Sequence, residues 1–199
     1  MKPNKSKVVP ALVAAALMTG LMAGCTTTGS DEPTRNAGQE GYVGGQEVLT
    51  RVPVADRKPA PVAAGSALGS GGTVSTADYP GKVVVLNVWG SWCAPCRAEA
   101  TDLQQASVET AKVAQFVGIN SRDPDPAPAE AFTRAFQVSY PSIYDNTGKV
   151  LLNFSGNLPM STFPSTLIID REGRIAVRIT GPITKVTLVD LIEDVAGGK

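Results

Sequence analysis

Lys82-Val-Val-Val-Leu-Asn-Val-Trp89 runs directly into Gly90-Ser-Trp-Cys93-Ala-Pro-Cys96 and then into Arg97 to about Lys112, and the fold is read from this stretch. Its first part is a near-continuous apolar, β-branched run bounded by Pro80-Gly81 and Gly90. Such a run predicts a strand buried on both faces, because a strand with one wet face would alternate. The last part contains neither Gly nor Pro and predicts a helix. A buried strand feeding a helix through a short turn opens a βαβ unit, and both cysteines of the stretch fall at its junction.

Working outward, Val113 to Ile119 predicts a second strand. Asn120 to Pro128, with three prolines and two aspartates, reads as a loop. Ala129 to Gln137 carries apolar residues at 131, 132, 135 and 136, a helical stripe. Tyr140 to Tyr144 predicts a short strand, Asp145 to Gly148 a turn and Val150 to Phe154 a brief helix. Ser165 to Asp170 and Arg174 to Ile179 flank Arg171-Glu-Gly173 as a β-hairpin. Thr184 is placed to cap a last helix whose Leu188, Leu191, Ile192 and Val195 share a face. On the N-terminal side, Val48 to Val54 reads as a short edge strand, since Pro53 cannot donate to a central ladder. The Pro- and Gly-rich stretch from Lys58 to Gly72 reads as loops. The order predicts an α/β domain with one central mixed sheet and helices on both faces.

The chain has 199 residues, 43% hydrophobic and 18% charged, which excludes a fully disordered, fibrous or multi-span membrane protein and leaves room for one folded domain plus tails. Its formal charge of +0 conceals an asymmetry. Lys2, Lys5 and Lys7 lie in the first 24 residues with no acids, so the remainder carries 15 basic and 18 acidic residues, net −3. No basic stripe of the kind that grips a phosphate backbone is present, which argues against nucleic acid as a partner. There is no histidine. His-dependent triads, His general bases and most catalytic zinc sites are thereby excluded, and no cofactor or metal is expected.

Met1 to Lys7 is basic and Val8 to Ala23 is largely apolar but interrupted at Pro10, Thr19 and Gly20, too short to span a bilayer and suited to a secretory signal. It ends Leu21-Met-Ala-Gly-Cys25, which resembles the lipobox of bacterial lipoproteins, with Met22 where Leu is usual. The resemblance implies cleavage before Cys25 and lipid on its thiol; a plain cleaved signal or an uncleaved anchor are the other readings. Residues 1–24 are therefore expected to be a signal peptide, 25–57 a lipid-anchored tether and N-terminal extension, and 58–199 the folded domain. Several acyl chains would anchor the protein stably, each buried CH₂ contributing about 0.8 kcal/mol.

With Cys25 assigned to the anchor, Cys93 and Cys96 form a single Cys-x-x-Cys. A cysteine at a helix cap lies near unpaired backbone N–H groups and the positive end of the dipole, which stabilise thiolate over thiol. The thiol pKa falls from about 8.5 to as low as about 3.5–7.5 in such sites. Cys96, one turn on, is within reach to close a disulfide, and Pro95 suits a first turn where its missing N–H is not needed. Three other readings stay open on these residues alone. A zinc half-site lacks two ligands; a structural disulfide would close too short a loop to constrain much chain. Peroxidase chemistry would place Thr or Ser where Gly90 stands.

Val83 to Glu99, VVVLNVWGSWCAPCRAE, closely resembles the active-site segment of the membrane-associated, thioredoxin-like thiol-disulfide oxidoreductases of the TlpA and ResA type. Upstream, Ala60-Pro61 through Gly72 to Lys82 resembles that family's approach to the first core strand, and downstream Tyr140 to Gly148 and Phe163 to Gly173 match its later blocks in order, so the resemblance covers about residues 60 to 196. It implies a thioredoxin fold and an enzyme in which Cys93 is the nucleophile and Cys96 the resolving thiol. Trp92 would shield the pair, and Pro164 would be a cis-proline that turns the backbone of Phe163 toward a substrate chain. Glu99 matches an acid that the family keeps near the thiols. A carboxyl buried there would hold a proton readily and could shuttle it, whereas on an exposed helix face it would do nothing. Asn87 stands where ordinary thioredoxins keep a buried Asp; Thr101 and the bulky Phe163 depart from the family pattern. The implied partners are protein thiol and disulfide clients, cytochrome c maturation among them, and a membrane-bound electron donor. A thioredoxin-fold binding lipoprotein with a structural disulfide, or a peroxiredoxin-like antioxidant, are the alternatives.

Overall fold

In the computed structural model the strand that decides the fold is β4 (Val83–Trp89), buried along its whole length. The description covers residues 48–199 apart from Ser70; the signal segment, Cys25 and the tether as far as residue 47 lie outside the described residues. In chain order the other elements are β1 (Val48–Arg51), β2 (Ala64–Ser66), β3 (Thr73–Ser75), α1 (Ala94–Glu109), β5 (Ala114–Ser121) and α2 (Pro126–Ala135). They are followed by β6 (Ser142–Asp145), α3 (Lys149–Leu152), β7 (Ser165–Ile169), β8 (Ile175–Thr180) and α4 (Lys185–Ala196). The main sheet is ordered β1-β8-β7-β4-β5-β6. β4, β5 and β6 are parallel, whereas β7, β8 and β1 continue antiparallel from the other side of β4. This is the mixed α/β sheet expected.

Alternate residues of β4 serve two cores. Val83 and Val85 pack with Leu103 of α1, Phe116 of β5 and Leu188, Leu191 and Ile192 of α4. Val84, Leu86 and Val88 face the other way, into Ile119, Leu167, Leu151 of α3, Phe154 and Leu158. A strand that buries both pleats is apolar on each, here with Asn87 as its one polar side chain, which is why its sequence does not alternate. α2 closes the sheet near the end of β4, where Phe132 packs on Trp89 with ring centroids 4.5 Å apart.

Three elements differ from expectation. α1 starts at Ala94, not Arg97, because Cys93 caps it and Pro95 sits in the first turn. α2 starts at Pro126, inside the stretch read as loop: the Asp125 side chain accepts from the Ala127 amide at 2.8 Å, and prolines in a first turn forfeit no helical bond. Lys58 to Gly72 is not all loop, since β2 pairs with β3 as a small second sheet. Gly65 permits this: a Cβ there would stand 2.6 Å from the Ile143 side chain on β6.

A buried charge cluster ties the hairpin to the N-terminal segment. Asp170, 2% exposed, accepts from Arg57 Nη1 at 3.2 Å, from the Arg174 amide at 2.8 Å and from Arg174 Nε at 3.0 Å. Burial by itself would raise this carboxyl, but the hydrogen bonds from Arg174 and Arg57 outweigh it and hold it below its ordinary range. A carboxyl lowered in the folded state stabilises the fold above the unfolded value of about 3.9, and the gain is lost as pH falls through the folded value. Urea titrations below about pH 4 should therefore show stability falling in wild type. The fall should be shallower in Asp170→Asn; parallel acid limbs would show that the cluster contributes nothing to it.

Candidate active site

The site is built where β4 ends and α1 begins. Gly90 makes the turn close: a Cβ there would lie 2.5 Å from the Trp92 indole nitrogen. The Cys93 amide donates to the Gly90 carbonyl at 3.2 Å, and Cys93 then becomes the N-cap residue of α1, its Sγ accepting from the Cys96 amide at 3.2 Å. Cys93 and Cys96 are joined as a disulfide with Cα atoms 5.2 Å apart. The sulfur of the oxidised pair thus occupies the position in which a thiolate would be held by the helix N-terminus. Cys93 is 3% exposed and Cys96 1%. Both pack in one apolar cluster with Trp89, Ala100 and Phe132, and Phe163 lies against it. In the oxidised pair the Cys93 side chain is therefore more enclosed than a freely reachable nucleophile would be.

The opposite wall comes from the segment before β7. The Phe163–Pro164 peptide bond is cis, and the Pro164 carbonyl accepts from the Gly181 amide at 2.9 Å. The Phe163 ring packs against Trp92 at 5.0 Å between centroids, while half of Trp92 remains exposed. An aromatic pair from two distant segments therefore borders the disulfide.

Glu99 lies inside the protein, 3% exposed, not on the outer face of α1. Its Oε1 accepts from Asn87 Nδ2 at 3.1 Å and its Oε2 from the Ile183 amide at 3.0 Å; Asn87 Nδ2 also donates to Thr166 Oγ1 at 3.1 Å. One carboxyl group thus links α1 to β4 and to the approach to α4. Burial, and then the charge of Glu99, holds the Tyr140 hydroxyl well above its ordinary range. Asn87, Tyr140 and Cys96 line a cavity of about 10 Å³, room for roughly one water.

The end of β5 and the loop between β5 and α2 complete the site. Trp92 Nε1 donates to the Ser121 carbonyl at 3.3 Å. Asp123, 2% exposed, accepts from the Ser91 amide at 2.9 Å, the Ser91 hydroxyl at 2.5 Å and Asn120 Nδ2 at 2.6 Å. Between them Arg122 adopts φ +62°, and its guanidinium lies 5.1 Å from the Phe163 ring centroid while Nη2 donates to the Met160 carbonyl at 2.8 Å. A loop has no periodicity to reveal such contacts; the only signal was its position at the end of a strand parallel to β4.

Comparison with known proteins agrees with this arrangement. The family model described as Redoxin matches residues 55–192. The thiol:disulfide interchange protein HelX of Rhodobacter capsulatus is 31% identical over 146 residues, covering 71% of this chain and 77% of HelX. The thiol-disulfide oxidoreductase ResA of Geobacillus thermodenitrificans is 31% identical over 119 residues, covering 59% of this chain. The chain spans between 55% and 66% of the length of the first curated relatives it matches. A secreted thiol-disulfide isomerase from Corynebacterium glutamicum superposes with a TM-score of 0.71 at 30% identity, covering 80% of this chain and 99% of its own. With a Cys-x-x-Cys pair capping the helix after the central strand and a family match over residues 55–192, the chain belongs to the Redoxin family.

Proposed function

We propose that the protein exchanges disulfides with client polypeptides outside the cytoplasm and acts on them as a reductant, apocytochromes c being one client class. The observation that carries this reading is the Cys93–Cys96 disulfide, closed at the cap of α1 and bordered by Trp92 and Phe163. In the reducing direction the Cys93 thiolate attacks one client sulfur. The client disulfide breaks, its second sulfur leaves as a thiolate that takes up a proton, and a mixed disulfide forms. The Cys96 thiolate then attacks Cys93 Sγ and releases the client's remaining thiolate. Two electrons pass to the client, and the Cys93–Cys96 disulfide left behind is reduced again by a donor dithiol, which we assign to the membrane.

Direction depends on redox poise, which spans about −270 to −120 mV among such proteins. Acid-quenched, alkylated cells report it: a reductant should be held mainly as the dithiol, whereas a steady-state pool mainly in the disulfide form would mark an oxidant. The 3% exposure of Cys93 is the observation favouring a second reading, a binding protein whose disulfide is structural. Ready reduction of the pair by dithiothreitol separates the two.

The similarity to a protein described as secreted supports a place outside the cytoplasm; the basic-apolar start and the lipobox-like Leu21-Met-Ala-Gly-Cys25 support attachment to the outer face of the cytoplasmic membrane through lipid on Cys25. Among the described residues no helix is long and apolar enough to cross a membrane. Cys25→Ala should move the protein from the membrane pellet to the soluble fraction; full retention in the pellet would refute the lipid anchor.

A further inference from the structure

We propose that Asp123 is a positioning residue for the exchange reaction: by fastening Ser91 it holds Cys93 in the capping geometry that stabilises its thiolate. The inference rests on Cys93 being the attacking sulfur, as proposed above.

The turn from Gly90 to Cys93 has little internal support. Its one backbone hydrogen bond, Cys93 amide to Gly90 carbonyl, is 3.2 Å long. What fixes it comes from the loop after β5. Asp123 takes both donors of Ser91, amide and hydroxyl, one on each carboxyl oxygen, and Asn120 takes the remaining place on Oδ2. These donors are all neutral and the group is 2% exposed. Buried hydrogen bonds of this kind are kept because a free Ser91 amide would otherwise go unpaired. The carbonyl of Ser121, the last residue of β5, receives the Trp92 indole, so the two residues preceding Cys93 are both anchored where β5 passes into this loop. That same loop reaches the other wall of the site through Arg122, which lies over Phe163. Arg122 holds a left-handed backbone that non-glycine residues rarely adopt, and such strain persists only where surrounding contacts enforce it.

The charged side chains on the elements packed around Cys93 are Arg97, Glu99, Asp102 and Glu109 on α1, Glu130 and Arg134 on α2, and Arg122, Asp123 and Asp125 on the loop between β5 and α2. Two roles for Asp123 predict opposite signs. As a buried negative charge it would oppose the thiolate, and its removal would lower the Cys93 midpoint. As a positioning group it keeps Sγ where the Cys96 amide donates to it, and its removal would raise the midpoint. A hydrogen bond to an ionised acceptor corresponds to about one pKa unit.

The test is the pH dependence of iodoacetamide alkylation at Cys93 in the reduced full-length protein, read on the Cys93 peptide by mass spectrometry. Asp123→Ala should raise the midpoint by about one unit and slow alkylation about ten-fold below it. Ser91→Ala, which removes the hydroxyl and spares the amide, should shift it the same way by less, and adding it to Asp123→Ala should change nothing further. An unchanged or lowered midpoint in folded Asp123→Ala overturns the proposal. Should that variant not fold, an unchanged midpoint in Ser91→Ala does so. Failure of wild-type Cys93 to alkylate near neutral pH would instead overturn the functional reading on which the proposal rests.

Discussion

Replacing Cys93 by serine is expected to lower the rate of disulfide exchange by about 10³-fold or more, because a serine hydroxyl near neutral pH offers almost no ionised nucleophile where a capped thiol is largely thiolate. The two cysteines are not equivalent. Cys93 is the N-cap, its sulfur receiving the Cys96 amide, whereas Cys96 lies inside the first turn; burial does not separate them, both being almost fully enclosed in the oxidised pair. Cys96→Ser should therefore leave the first attack intact and block the second, so that mixed disulfides accumulate instead of being released. Non-reducing electrophoresis distinguishes the variants: mixed disulfides should build up with Cys96→Ser and not with Cys93→Ser. Equal accumulation in both would show that the asymmetry of the cap does not govern the chemistry.

The second large effect concerns Glu99. Glu99→Ala should cost about 2–4 kcal/mol of unfolding free energy, because it strands two buried donors, Asn87 Nδ2 and the Ile183 amide, each worth about 1–3 kcal/mol when unpaired. Asn87 keeps its bond to Thr166, which places the estimate below the simple total. Glu99→Gln retains one acceptor and nearly the same volume, so it should cost less, and its value lies in the pH profile. If the carboxyl moves a proton for the thiols, Glu99→Gln displaces the pH dependence of alkylation at the cysteines; an unmoved profile with a large stability loss would make Glu99 a structural link only. Urea denaturation of Glu99→Ala within about 0.5 kcal/mol of wild type would contradict the structural part.

Glu99 also marks how far the sequence could be read. Its burial followed from a resemblance and not from pattern: α1 has only Ala, Leu and Cys on its inner face, and a carboxyl between them looks like an exposed helix residue until Asn87 and Ile183 are seen to meet it. The β4–α1 junction was legible because physics leaves few alternatives there. A seven-residue strand with no polar break but Asn87 belongs at the centre of a sheet, and a cysteine before Ala-Pro-Cys belongs at a helix start. The hairpin and α4 were read for similar reasons, Gly173 between β-branched runs and Thr184 before an apolar stripe.

What escaped depended on contacts between segments far apart in sequence. β2 contains only Ala, Gly and Ser, and it is a strand because Gly65 lets the backbone lie on Ile143. The prolines at 126 and 128 looked like helix breakers but occupy a first turn, where their missing N–H groups are of no consequence. Asp123 and Arg122 sit in a polar loop whose composition says only that it is a loop, and their contacts with Ser91 and Phe163 depend on the parallel register of β4 and β5.

The most direct measurement is trapping by the Cys96→Ser protein in intact cells, followed by peptide mapping of the captured species. Reversible exchange through Cys93 predicts client cysteine peptides covalently linked to the Cys93 peptide and released by dithiothreitol. No linked peptide, together with a wild-type Cys93–Cys96 disulfide that resists dithiothreitol, would contradict the account and leave the pair as a structural cross-link.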